Sequence, residues 1–516
     1  MRTRRKTEVI DLSMEQVSDL IQSVKSCNLT DEQQKIILVL IEQIVDIKRT
    51  SEERKAALNR AKRLLGSSTE KDKKDTSETK SSKKKKGHGR NGVDQHKISH
   101  TFDHEHELNA GTLCDLCGKG KLVNMAPKQI IRLIGQPAII AELHRPERLR
   151  CSGCGAIHTA KLPEEVGDEK NTASANALVA VYRYGMGLPN YRLAAMQKAI
   201  GVPLPASTQY EMSEILWTKI VPIYKELLRQ AANYSIFYTD DTTGKILSLM
   251  KDKEERKAKG ERVGIFTTGI VAKGDGHTVN LFFTGSKHAG ENFADLLNLR
   301  NTNLEIPIQV GDAATRNIPK NHMTNLVLCL VHARRNFFDC YNSFSDEATY
   351  VIDQIANIYK NEKIIKSKGM SVEDRLKYHA QHSKPVMAKL LKYAKDKTDK
   401  KEVEPNSAIG YAFKYLIKHW ECLTKFCNTL GAPIDNNTAE RLIKKAVLHR
   451  KNSLFYKTED GAKVGDTIMS IIQTTISAGV DPFEYLIILQ KNSKAVFKNP
   501  QLWLPWNYTN MLKSIG

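Results

Sequence analysis

No stretch of the 516 residues approaches the roughly 20 consecutive apolar residues that a membrane-spanning helix requires. The opening "MRTRRKTEVIDLSMEQ" also lacks the apolar core of a secretory signal. Acidic residues are in deficit: 58 Asp and Glu face 79 Lys and Arg, a formal net charge of +21. Such an excess favours a polyanionic partner, because Lys and Arg that neutralise phosphates release condensed counterions. Nucleic acid is the first choice and a membrane is set aside. Cysteine is sparse, and nine is an odd number for so long a chain, which argues against a disulfide framework and for reduced thiols or metal ligands. A cytoplasmic protein associated with DNA is expected.

The length points to several domains, at roughly 100–200 residues each. Residues 1–66 read as helical, with Ile37, Leu40, Ile44 and Ile47 in 3-4 spacing that suits a short coiled coil or a two-helix hairpin. Residues 67–107 form a basic linker; "SSTEKDKKDTSETKSSKKKKGHGR" has too little apolar surface to offset its ordering entropy. Residues 108–158 hold two C-x2-C-G knuckles, Cys114 with Cys117 and Cys151 with Cys154. Two thiolates from each can close one tetrahedral Zn2+ site, the glycines letting the backbone curl around the metal in a zinc-ribbon-like module. Residues 159–230 are helical, and "YRLAAMQKAIGVPLPASTQYEMSEILW" has the form of a helix-turn-helix, a candidate DNA-binding unit.

From Tyr234 onward strands are expected in "YSIFYTDDTT", "KILSLM", "RVGIFTTGIVA" and "HTVNLFFTG", then a helix in "ENFADLLNL" and a strand in "IPIQVGDAA". "NLVLCLVHARRNFFDCY" follows as a strand entering a helix. This is the element order of an RNase H-like core. Side chains alternate across a strand, so only one of Asp240 and Asp241 can face a given site. Asp312 ends an apolar strand, where open sheets place ligands. Glu440 arrives later, in "APIDNNTAERLIKKAVLHRKNSLF". Its bland reading is a capping box with Asn437 as N-cap and Glu440 at N3; its sharper one is the third member of a carboxylate set. Carboxylates so grouped suit two Mg2+ (or Mn2+) ions in phosphoryl transfer. Asp435 reads as an Asx turn. In the closing stretch, Asp481 as N-cap and Pro482 at N1 start a helix, and "LWLPWNY" is expected to dock on the core.

"CLVHARRNFFD", "IDNNTAERLIKKAVLHRKNSLF" and "SIIQTTISAGVDPFEYLIIL" resemble the corresponding segments of IS66-type transposases of bacterial insertion sequences. The resemblance runs over nearly the whole chain. It implies a multidomain α+β protein whose residues 231–456 form an RNase H-like core with a helical insertion at about 340–430, followed by a helical segment at 457–516. It also implies metal-dependent cleavage at element ends and strand transfer into target DNA. The family's catalytic acids fall on Asp240, Asp312 and Glu440. Asp241 stands where the family has Glu, and "GDAATRN" replaces its Asp-Gly-Tyr context. Cys329 and His332 match a C-x2-H motif of several transposase families, for which packing or hydrogen bonding is the expected role, since a metal needs more than two ligands. Arg334, Arg335, Lys444, Lys445, Arg450 and Lys451 are the candidate DNA contacts. The partners implied are double-stranded DNA, both element ends and target, further copies of the chain on that DNA, and accessory proteins of the same element. A catalytically silent DNA-binding regulator and a nuclease without strand transfer are the alternatives.

Overall fold

The structure is a computed structural model that describes residues 14–41 apart from Asn28, Gln43, scattered positions between 101 and 170, and 171–515 without a break. The chain divides into two compact units, residues 1–69 with 142–516 and residues 70–141. Within the first unit, helix α1 spans Met14–Ser26, and a second helical stretch begins at Asp31. Thr30 and Gln33 cap that stretch reciprocally: Gln33 N donates to Thr30 Oγ1 and Thr30 N donates to Gln33 Oε1. The described part of the N-terminal region is thus two helices. The heptads beyond residue 43 lie outside the described residues.

Strands β1 (Arg148–Arg150) and β2 (Ile157–Thr159) pair antiparallel, with Arg150 opposite Ile157. Helices α2 (Ala173–Ala180) and α3 (Ala206–Ala232) follow, and α3 buries Leu216, Ile220, Ile223 and Leu227 on one face. That 3-4 spacing is the stripe expected of a helix laid on a sheet.

The sheet has five strands: β3 (Ile236–Thr243), β4 (Phe266–Gly274), β5 (His277–Gly285), β6 (Ile308–Gly311) and β7 (Asn325–Leu328), in the order β5-β4-β3-β6-β7. The three long strands are antiparallel, and β6 and β7 continue the sheet parallel to β3. Between β5 and β6 lies α4 (Ala289–Leu297), and β7 runs into α5 (Leu330–Asp339). "KILSLM" is not a strand. Ile246 makes only an isolated bridge to Tyr456 and Leu247–Lys251 are helical, because the Leu247 and Ser248 amides find their acceptors in Tyr456 and Lys457 rather than in a sheet ladder.

Helices α6 (Ser345–Ser367), α7 (Lys384–Asp399) and α8 (Ala408–Lys418) pack around a second hydrophobic core that includes Ile355, Leu390 and Phe413. The chain returns to the sheet in α9 (Asn437–Ser453), then α10 (Glu459–Ser477) and α11 (Pro482–Lys491). Helix α11 starts as its sequence indicates, Asp481 accepting from the Phe483 and Glu484 amides. Trp503 beyond it is fully buried against the main core.

Helix α10 solves a problem of the sheet. An edge strand leaves every second amide unpaired, and on β5 those amides belong to Asn280, Phe282 and Thr284. Thr474 Oγ1, Ser470 Oγ and Asp466 Oδ2 accept from them at 3.0, 2.9 and 2.5 Å. Four residues of helix rise about 6 Å and two of strand about 6.6 Å, so side chains four apart on α10 meet amides two apart on β5.

Candidate active site

Asp240 lies within β3, whose pairing with β4 runs on to Thr243, and Asp312 directly follows β6. Parallel pairing of Tyr238 with Val310 places the two acids at equivalent positions, two residues onward on adjacent strands. Asp312 Oδ1 is held by the Ala314 amide at 3.2 Å and Asn317 Nδ2 at 2.8 Å. Asp240 Oδ1 accepts from the Asp241 amide at 2.9 Å.

Glu440 is brought to these strands by the anchoring of α9 at both ends. At its start, Asn436 is buried; its Nδ2 donates to Thr239 O at 3.0 Å and its amide to Cys329 Sγ at 3.2 Å. At its end, Arg450 donates to Thr242 Oγ1 at 3.1 Å and to Thr243 Oγ1 at 2.6 Å. Between these anchors the helix lies close on β4. A Cβ placed on Gly269, the residue paired with Asp240, would meet Ile443 Cδ1 at 3.2 Å.

The electrostatics follow from this packing. Burial, together with the nearby charges of Asp312, Glu440 and Asp241, raises the Asp240 carboxyl to about 7, against the hydrogen bond from the Asp241 amide. Two acids brought in from β6 and α9 therefore act on the one in β3. Glu440 Oε1 is buried without a hydrogen-bond partner, as is His332 Nδ1. A cation fits such a set: it would relieve the repulsion and give the orphaned oxygen a partner.

Asp241 points elsewhere. Its carboxylate lies 3.1 Å from His288 Nδ1 and 3.8 Å from Arg316, in a cluster at the head of α4. The capping box at Glu440 is absent: the helix begins at Asn437 with Asn436 as its N-cap, and no side chain caps it. The Asn437 amide instead donates to Asp435 Oδ1 at 3.1 Å, an Asx turn. His449, in a run of basic residues, is interior, stacked between Tyr184 and Tyr456; burial lowers it to about 3, so it is neutral. Arg450 is engaged with β3, whereas Arg335, Lys444, Lys445 and Lys451 are exposed and Arg334 is half-buried. Cys329 is fully buried, and burial raises its thiol to about 11. Of the four knuckle cysteines, Cys114, Cys117 and Cys151 lie outside the described residues; Cys154 is exposed and free, in the loop between β1 and β2. Asn436, Gly269 and His288 carry no chemical signature in the sequence.

In this mixed α/β protein one acid thus lies within the central strand, one just after its parallel neighbour and one on a returning helix. The Transposase IS66 family matches residues 170–464, and the chain belongs to that family, a family of DDE transposases; a transposase-related function follows. Three proteins of Sinorhizobium fredii are similar to it. The uncharacterized protein y4jD is 26% identical over 372 residues, 70% of this chain and 71% of the relative. The uncharacterized protein y4qI is 25% identical, over 64% of this chain and 62% of its own length. The uncharacterized protein y4hP is 22% identical, over 77% and 73% respectively. Among the described residues no helix is long and apolar enough to cross a membrane.

Proposed function

We propose that this protein is a metal-dependent DNA transposase that cleaves at the ends of its element and joins the freed 3′-hydroxyl to target DNA. The observation that carries this reading is that Asp240 and Asp312 stand at equivalent positions on paired strands while α9, anchored at both ends on β3, carries Glu440. Asp240, Asp312 and Glu440 would hold Mg2+ or Mn2+, which when bound activates the attacking oxygen and stabilises the leaving one. The chain's own part is to fix the three carboxylates through the β3–β6 pairing and the clamped α9. Family membership and the strand order β5-β4-β3-β6-β7 support an RNase H-like core over residues 231–456.

The other assignments belong to the same proposal. Cys114, Cys117, Cys151 and Cys154 hold one structural Zn2+, a reading supported by the antiparallel β1–β2 pair flanking the second knuckle. Arg334, Arg335, Lys444, Lys445 and Lys451 meet DNA phosphates, while Arg450 acts through its hold on β3. Residues 1–66, 67–107, 108–158, 159–230 and 457–516 are the helical, linker, zinc, DNA-binding and closing segments of the chain. The protein works in the bacterial cytoplasm on nucleoid DNA, as an oligomer with accessory proteins. Incubating it with Mg2+, a duplex bearing the element end and a supercoiled plasmid should yield end-to-plasmid joints. Specific binding of the end without cleavage would select the silent regulator, and cleavage without joining the nuclease.

A further inference from the structure

Cys329 and His332 supply two metal-binding atoms one helical turn apart at the head of α5, and α9 supplies a third. One ligand atom each from Cys329, His332 and Glu440 lie within 4.8 Å of one another. His332 Nε2 is 3.9 Å from Glu440 Oε1. We propose that these three side chains form a binding site for a thiophilic divalent cation, Zn2+ above all, that withdraws Glu440 from the carboxylate set and holds the enzyme inactive.

The donors select the metal. Sulfur, imidazole nitrogen and one carboxylate oxygen match the zinc ligand set, whereas Mg2+ takes oxygen ligands almost exclusively. A tetrahedral zinc with one sulfur, one nitrogen and one oxygen ligand places those atoms about 3.3–3.6 Å apart, so small side-chain rotations close the set. The Asn436 amide already donates to Cys329 Sγ, a bond that a metal-bound thiolate would keep. The buried, unpartnered Glu440 Oε1 is a polar atom that gains from an ion there. Cys329 is sealed inside, but the His332 and Glu440 side chains retain 30% and 21% exposure, which leaves an approach from solvent and room for water as fourth ligand. Binding releases the thiol proton to solvent and involves no redox change.

The inhibition is the second half of the proposal: a Glu440 Oε1 bonded to zinc beside His332 is one oxygen fewer for an ion at Asp240. The inhibitory half rests on the catalytic role proposed for Glu440; the metal site does not. The test is therefore made first by binding. Full-length protein stripped of metal and dialysed against micromolar Zn2+ should retain one more zinc per chain than Cys329→Ser and His332→Gln variants, with melting temperatures in chelator confirming that both fold. Equal zinc content in all three proteins would overturn the site, whatever the activity. In the Mg2+-dependent cleavage assay, the Zn2+ concentration giving half-inhibition should rise at least about tenfold in His332→Gln, each protein being normalised to its own zinc-free rate. Unchanged zinc sensitivity would overturn the inhibitory role.

Discussion

Glu440 falls at the fourth position of its helix rather than the third, and that one-residue difference removes the simplest explanation for it. It has no capping bond to make, and one oxygen is buried without a partner. In the sequence, strand alternation separated Asp240 from Asp241 and the family resemblance chose Asp240; the two carboxylates do lie in different surroundings, one near Asp312 and Glu440, the other against His288. Asp241→Asn should therefore keep cleavage within a few-fold of the parent, since an amide oxygen can still accept from His288. Steady-state cleavage of an end duplex checks this; a loss of orders of magnitude would move the first metal ligand to Asp241. What the sequence concealed at this scale is burial. His449 looks like its cationic neighbours but faces the core, because the run "KKAVLHRK" continues a helix whose inner stripe passes through Ala446 and His449.

Elements position the acids, and here the chain is less legible. The long strands and the helix before β6 could be read from periodicity, yet "KILSLM" has strand composition and forms a bridge and a helical turn because its amides are taken by the segment after α9. No local pattern announces that partner. The fit of α9 on Gly269 gives one test: Gly269→Val adds bulk where a single Cβ already meets Ile443 at 3.2 Å. It should tilt α9 off the sheet, cutting cleavage at least tenfold with a stability loss of about 1–3 kcal/mol. Denaturant unfolding alongside cleavage checks it, and unchanged cleavage would show that the helix has slack. The α10–β5 ladder gives a second. Burial raises Asp466 to about 7 against hydrogen bonds from Thr284, so the folded chain keeps a proton that the unfolded chain releases near 4. Stability should thus fall as pH rises from about 4 through about 7 and level off above, by up to about 1.4 kcal/mol per pH unit from this group. Asp466→Asn should flatten that slope in urea titrations at pH 5, 6 and 8; an identical slope in both proteins would show that Asp466 ionises normally.

At the scale of the whole molecule, composition was informative about the partner and silent about assembly. A net charge of +21 favours a polyanionic partner, and binding to any duplex should weaken steeply with salt. The cysteine spacing is a strong zinc pattern whose test is chemical: Cys151→Ser should lose one zinc per chain and weaken DNA binding while leaving the melting of the catalytic core in place. Metal analysis with differential scanning calorimetry decides it, and unchanged zinc content would remove the ribbon reading. The helices between α5 and α9 show why assembly is hard to read. They build their own core from ordinary helical stripes, and nothing in those stripes says which sheet they return to. The return is made by Asn436 and the Cys329 sulfur, single contacts between residues far apart in sequence.

The most direct measurement compares Asp240→Asn, Asp312→Asn and Glu440→Gln with the parent in Mg2+-dependent cleavage of an element-end duplex, with DNA affinity and melting temperature recorded for each. Loss of a charged metal ligand should lower cleavage by orders of magnitude in all three while binding and folding persist. Near-parental cleavage by Glu440→Gln, in a protein that still folds and binds the end, would contradict a three-carboxylate metal centre.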